Sequence, residues 1–149
     1  MKRILLFLLT ISVVFGSCKK KSSSEPSQMT ASVDNKAWVS NTSLVKFDKG
    51  ATVHLILTAD SANTHMRLDI GNYTGIGTYV ISDSGNTASF TTYSAANGSA
   101  LHKATSGQIV VKQVTTNGTN QNGFKGTFEF LADTVQVTAG TFNVNLYLN

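Results

Sequence analysis

The chain has 149 residues, a formal charge of +4, 41% hydrophobic residues and one cysteine, which excludes an intramolecular disulfide framework. The positive charge is local: five of the twelve basic residues precede residue 22. From Met29 onward seven basic residues (Lys36, Lys46, Lys49, Arg67, Lys103, Lys112, Lys125) are matched by seven acids (Asp34, Asp48, Asp60, Asp69, Asp83, Glu129, Asp133), so this part is neutral and has no basic run of the kind that binds nucleic acid.

Lys2 and Arg3 precede an apolar run from Ile4 to Phe15. A charged start followed by an apolar stretch of that length is the pattern of a secretory signal. It is shorter than the roughly 20 residues that a spanning helix needs. Phe15-Gly16-Ser17-Cys18 follows and resembles a lipobox, the signal of bacterial lipoproteins: an apolar residue, two small residues that leave the backbone open to a peptidase, then a cysteine. The resemblance implies cleavage before Cys18 and lipidation of Cys18. Lipid also removes the liability of an exposed thiol in an oxidising compartment. Several acyl chains, at about 0.8 kcal/mol per buried CH2, hold a protein to a bilayer without a spanning helix. Lys19 to Gln28 is Lys- and Ser-rich and carries Pro26, too polar to bury a core, and reads as a tether. The organisation expected is a signal over 1–17, a lipidated cysteine and tether over 18–28, and one domain over 29–149.

Period-two alternation between turn clusters dominates the rest. Met29 to Val33 and Lys36 to Val39 form a hairpin around Asp34-Asn35. Thr52 to Ala59 puts Val53, Leu55 and Leu57 on one face, and His65 to Ile70 puts Met66, Leu68 and Ile70 on one face. With Asp60 to Asn63 as a turn, the register expected pairs Leu57 with Met66, Leu55 with Leu68 and Val53 with Ile70, and sets His54 beside Asp69. Thr78 to Ser82, Thr87 to Tyr93 and Gln108 to Thr115 are further strands. Asn117-Gly118 is a hairpin dipeptide, read as part of a polar loop reaching Gly123. Phe124, Phe128 and Phe130 share one face of the next strand, with Lys125, Thr127 and Glu129 opposite. Asp133-Thr134 turns into Val135 and Val137, and Ala139-Gly140 separates these from a last strand with Phe142, Val144, Leu146 and Leu148 inward. Many short strands at this spacing, with no helical period after the signal, predict an all-β fold. The form expected is an antiparallel β-sandwich or open barrel of largely meander topology.

No arrangement of residues announces chemistry. His54 and His65 lack the HxH or HxxxH spacing of a metal site, and a His54–Asp69 cross-strand pair is the reading preferred, with no metal. Gly71 to Gly77 is glycine-rich but lacks the Lys-Ser/Thr of a P-loop and precedes no helix, so it reads as a turn. There is no G-x-S-x-G elbow. A hydrolase with two carboxylates across a cleft is a remote third reading. Trp38, Tyr73, Tyr93 and Tyr147 would make a sugar platform if exposed, and core packing is the reading preferred for Trp38. No catalytic residue and no cofactor is assigned, and ligand-binding residues stay unknown.

Met29-Thr30-Ala31-Ser32-Val33-Asp34-Asn35-Lys36-Ala37-Trp38, Gly75-Ile76-Gly77-Thr78-Tyr79, Gly126-Thr127-Phe128-Glu129-Phe130 and Gly140-Thr141-Phe142-Asn143-Val144, in this order, resemble a family of small Bacteroidota lipoproteins of unknown function. Members look like a signal, a cysteine, a short tether and a β domain that opens with a "T-A-x-V-D-G-K-x-W" hairpin; Asn35 stands here where that pattern has Gly. The resemblance implies an envelope protein and carries over no catalytic or binding residue. Lys19 after the cysteine, where inner-membrane retention uses Asp, implies the outer membrane. Lys19-Lys20-Lys21 in place of an acidic run implies its periplasmic face. Asp60-Ser61-Ala62 and Asp133-Thr134-Val135 resemble the O-glycosylation motif of Bacteroidota. The function expected is a non-enzymatic, membrane-anchored lipoprotein whose β domain binds or supports an envelope protein or glycan and no nucleic acid. The alternative is a small-ligand or glycan-binding module.

Overall fold

A computed structural model describes residues 26–49, 52–82 and 85–146. Ten strands make up the fold: β1 (Gln28–Val33), β2 (Lys36–Val39), β3 (Thr42–Lys49), β4 (Val53–Ser61), β5 (Thr64–Ile70), β6 (Gly77–Val80), β7 (Thr87–Ser94), β8 (Gly98–Asn117), β9 (Asn120–Ala132) and β10 (Val135–Asn145). They form one antiparallel sheet in the order β2-β1-β10-β9-β8-β7-β5-β4-β3, with β6 paired to β8. The sheet is open and curls on itself as a half-barrel. The meander runs from β3 to β10; the exception is the first hairpin, whose β1 joins the last strand, Met29 opposite Phe142. Among the described residues no helix is long and apolar enough to cross a membrane.

The curl depends on β8. At 20 residues a straight strand would run about 65 Å, far more than one small core can cover. β8 instead changes neighbours. Gly98 to Lys103 pairs with β7, and from Ala104 onward the strand pairs with β9. The register slips between Ala104 and Ser106, and Gly107 sits at φ 140°. An extra residue and a left-handed glycine are the two devices that bend a strand. The bend folds one half of the sheet toward the other, and β3 comes to lie against β10 and β1.

The alternation seen in the sequence fills the space between the halves. Leu55, Leu57 and Ala59 of β4, Met66, Leu68 and Ile70 of β5, Phe124, Phe128, Phe130 and Ala132 of β9, and Val137, Phe142 and Val144 of β10 are all buried. Each large side chain of this kind contributes about 1.5–3 kcal/mol on leaving water. Two glycines sit beneath rings. Gly126 faces Phe142 across the β9–β10 ladder and Gly140 faces Phe128, in each case with the ring packed where a Cβ would stand. Rings laid over glycines recover the packing that a missing side chain forfeits. Trp38 closes the halves: its Nε1 donates to Thr64 Oγ1 at 2.8 Å and its ring meets Phe90 edge-on.

Four local readings change. The β4–β5 turn is a two-residue loop, with Ser61 opposite Thr64 and Ala62 at φ 47°. Leu57 therefore faces Leu68 and Leu55 faces Ile70, two residues from the register expected. An even slip keeps every side chain on its face. The polar loop after Asn117 does not form, because Asn117 pairs with Asn120 around a Gly118-Thr119 turn. Ala139-Gly140 is no break: Ala139, at φ 49°, makes a bulge within a continuous β10. β3 and the first part of β8 are strands that alternation did not signal. The first hairpin is as expected, with Asp34 at φ 48° and Asn35 at φ 62°, both central turn residues left-handed.

At Gly107 a Cβ would meet the Glu129 carbonyl and Phe130, in a backbone region that L residues avoid. Gly107→Ala is expected to cost at least about 2 kcal/mol in urea unfolding. Asn35→Gly, in a turn that already accepts glycine geometry, is expected to shift stability by less than about 0.5 kcal/mol.

Candidate functional site

The outward faces of β4, β5, β7 and β8 carry most of the polar chemistry among the described residues. Pairing registers align them in rows. Thr58 lies opposite Arg67, Arg67 opposite Ser89, and Ser89 opposite Lys103. With strands spaced about 4.8 Å apart, Arg67 and Lys103 stand roughly 10 Å apart on one face with the Ser89 hydroxyl between them. Together with Ser82, Thr87, Ala88, Leu101 and Ala104 they line a groove of about 400 Å³. Ser82 and Thr87 form one wall, steadied by Ser82 N donating to the Asn86 carbonyl and by Asn86 Nδ2 donating to the Val80 carbonyl.

Asp69 organises the neighbouring surface. Its Oδ2 accepts from Arg67 Nη2 at 2.7 Å and its Oδ1 contacts His54 Nδ1 at 3.2 Å. A carboxylate only accepts, so His54 Nδ1 donates to it, and Nε2 on the far side of the ring lies 3.1 Å from Thr52 Oγ1. The His54–Asp69 pair therefore forms as expected, although diagonally, since Asp69 lies directly opposite Ile56. Thr52, His54 and Asp69 follow the hydroxyl–imidazole–carboxylate order of a nucleophilic relay. The hydroxyl is exposed, however, and does not line the groove between Arg67 and Lys103. His65 and His102 each meet a different aspartate, Asp60 at 2.7 Å and Asp133 at 3.3 Å. The three histidines are thus dispersed, and among the described residues no group of three or more His, Cys, Asp or Glu side chains converges. Lys103 has no ion partner among the described residues.

A second depression, about 350 Å³, lies on the outward face of β8, β9 and β10. Its polar groups are largely engaged with each other: Gln108 Nε2 donates to Glu129 Oε1 at 2.8 Å, and Thr141 shares a hydroxyl bond with Thr30.

The glycine-rich segment folds around a tyrosine. Tyr79 Oη accepts from the amides of Thr74 and Gly75 and donates to the Gly75 carbonyl at 2.6 Å. The Thr74 and Gly75 amides are thereby engaged by the protein itself. The aromatic platform does not assemble. Trp38 and Tyr73 are buried and Tyr93 is half-exposed, while Tyr147 lies outside the described residues, as does Cys18. Tyr73 packs against Phe47, Phe124 and Tyr79. Its hydroxyl has no hydrogen-bond partner among the described residues. Burial, and secondarily Tyr79, push its pKa from 10.0 up to about 12.

Sequence reasoning missed the groove. Arg67, Ser89 and Lys103 belong to three strands far apart in the chain, and only the pairing registers join them. The sole hint in the sequence is that Arg67 and Ser89 each occupy an outward position between inward apolar residues, Met66 and Leu68 for the one and Ala88 and Phe90 for the other.

These features define an open, curled antiparallel β domain with a cationic groove on one outer face. A family model for a domain of unknown function, DUF6252, matches residues 25–145, and the chain belongs to this family. Comparison with curated proteins and with solved structures gives no match.

The Tyr73 hydroxyl supplies a test of the packing. The unfolded chain ionises this tyrosine near pH 10, the folded chain only near 12, so its contribution is complete below pH 10 and is lost as pH rises through about 12. In denaturant titrations the wild type is expected to lose on the order of 2 kcal/mol more than Tyr73→Phe across that interval. At neutral pH the two should agree within about 1 kcal/mol, because the hydroxyl makes no bond to lose.

Proposed function

We propose that the chain is a lipid-anchored protein of a bacterial envelope, held to the membrane through Cys18, with a non-catalytic β domain that binds or supports another envelope component. The observation that carries this reading is Phe15-Gly16-Ser17-Cys18, set between an apolar run and a polar tether. The order of charged start, apolar run, small residues and cysteine supplies what a lipidating enzyme and a signal peptidase need.

The start of the domain suits a short leash. Ser27 Oγ accepts from Asn145 N at 2.9 Å, and Gln28 opposite Asn143 begins β1. From Cys18 to Gln28 an extended chain spans at most about 35 Å, which keeps the domain close to a bilayer. The reading places the protein at the outer membrane on its periplasmic face, from Lys19-Lys20-Lys21 after the cysteine. The non-catalytic part is supported by the polar side chains of the outer face, which orient one another in His–Asp and Arg–Asp pairs. A second reading, a small-ligand or glycan-binding module, is favoured by the Arg67–Lys103 groove.

Mass spectrometry and membrane fractionation of wild type beside Cys18→Ala test the anchor. The expected wild type is acylated and sediments with membranes, and the expected variant is unprocessed or soluble. Wild type and variant both cleaved, unacylated and soluble would overturn it.

A further inference from the structure

We propose that the groove between Arg67 and Lys103 binds a sugar acid, its carboxylate held between the two cations and its hydroxyls on Ser82, Thr87 and Ser89. The inference rests on the ligand-module reading and is independent of the lipid anchor.

Charge selects the ligand class. Among the described residues, Arg67 and Lys103 bring two positive charges to the groove, and Asp69, bonded to Arg67, returns one negative charge. The net of one positive charge matches a monoanion and leaves a phosphate dianion under-compensated. Shape narrows it further. Asp69 takes only Arg67 Nη2 among the donors of the guanidinium, and the side chain is 43% exposed. A planar guanidinium with free donors matches the planar carboxylate. Asp69 is only 16% exposed and is held from its other oxygen by His54, so it fixes the direction in which Arg67 points. Lys103, without an ion partner among the described residues, supplies the second charge as a mobile ammonium.

The remaining lining fits a saccharide. Three hydroxyls on two sides of the groove are donors and acceptors at once, which is what sugar hydroxyls require. Leu101 borders them at 55% exposure, an apolar surface for the C–H face of a sugar ring. A volume of about 400 Å³ lies at the small end of ligand pockets, about 300–1,000 Å³, and suits a short saccharide better than a polymer groove would.

The test is calorimetric or NMR titration of the full chain in detergent with glucuronate, glucose and inorganic phosphate as probes. Saturable glucuronate binding in the millimolar range or tighter is expected, with glucose and phosphate at least about tenfold weaker. Lys103→Ala is expected to weaken glucuronate about tenfold or more, and Lys103→Arg to restore it. Both variants should keep the wild-type circular dichroism and urea midpoint, since the side chain is exposed. Absence of glucuronate binding, equal binding of glucose, preference for phosphate, or unchanged binding by Lys103→Ala would each overturn the proposal. Cys18→Ala should bind glucuronate as wild type does, so a failed anchor and a failed groove give different results.

Discussion

One strand serves both halves of the sheet, and the rest of the molecule follows from how it turns. β8 pairs with β7 before Ala104 and with β9 after it. Without the extra residue at Thr105 and the left-handed Gly107, the strand would run on flat, and the inward faces of β4, β5, β9 and β10 would have nothing to cover them. The bend makes those faces each other's cover. It also shapes the outer surface, because Ile81 and Ser82, which follow β6, lie at the same place. Ile81 N donates to the Gly107 carbonyl there, and this brings Ser82 and Thr87 beside Lys103. The corner that permits the core therefore builds the groove.

The outer ion pairs work differently from the core. Ion pairs whose cationic partner stays in contact with water, as His54 and Arg67 do, contribute about 0–1 kcal/mol, so the His54–Asp69–Arg67 arrangement adds little to stability. Its effect is directional. One carboxylate, using both oxygens, fixes an imidazole on one side and a guanidinium on the other. Tyr79 has a similar part in the loop, where a single hydroxyl accepts from two amides and donates to a carbonyl. Small polar contacts determine orientation, and buried side chains supply the free energy.

What could be read from the sequence follows the same division. Strands with one apolar face, such as His65 to Ile70 and Phe124 to Phe130, were legible because burial writes a period of two into the chain. β3 was not, because its buried Ser43 is polar and its exposed Leu44 is apolar, which leaves only Val45 and Phe47 to mark the inward face. The first part of β8 was not, because nearly every residue from Gly98 to Lys103 is exposed and neither face is apolar. The exact β4–β5 register was hidden by Ala62, and the β10 bulge by Ala139, since alanine gives no sign of a left-handed backbone. The His54–Asp69 pair survived the wrong register because the error was even and both residues stayed on one face. The groove was out of reach for a different reason: its residues become neighbours only through three separate ladders.

β1 is first in the chain but second in the sheet, flanked by β2 on one side and β10 on the other. A load applied through the N-terminal segment thus enters an interior strand at Gln28. A pull along that strand shears two ladders at once, where an edge strand would unzip one bond after another. Met29, fully buried and tied through its amide to Ser40 Oγ, sits one residue inside the point of entry. The fold is fastened at its leading end in the manner of a splice, with the strand gripped along its length from both sides, so tension is shared across the sheet before any part of it peels away.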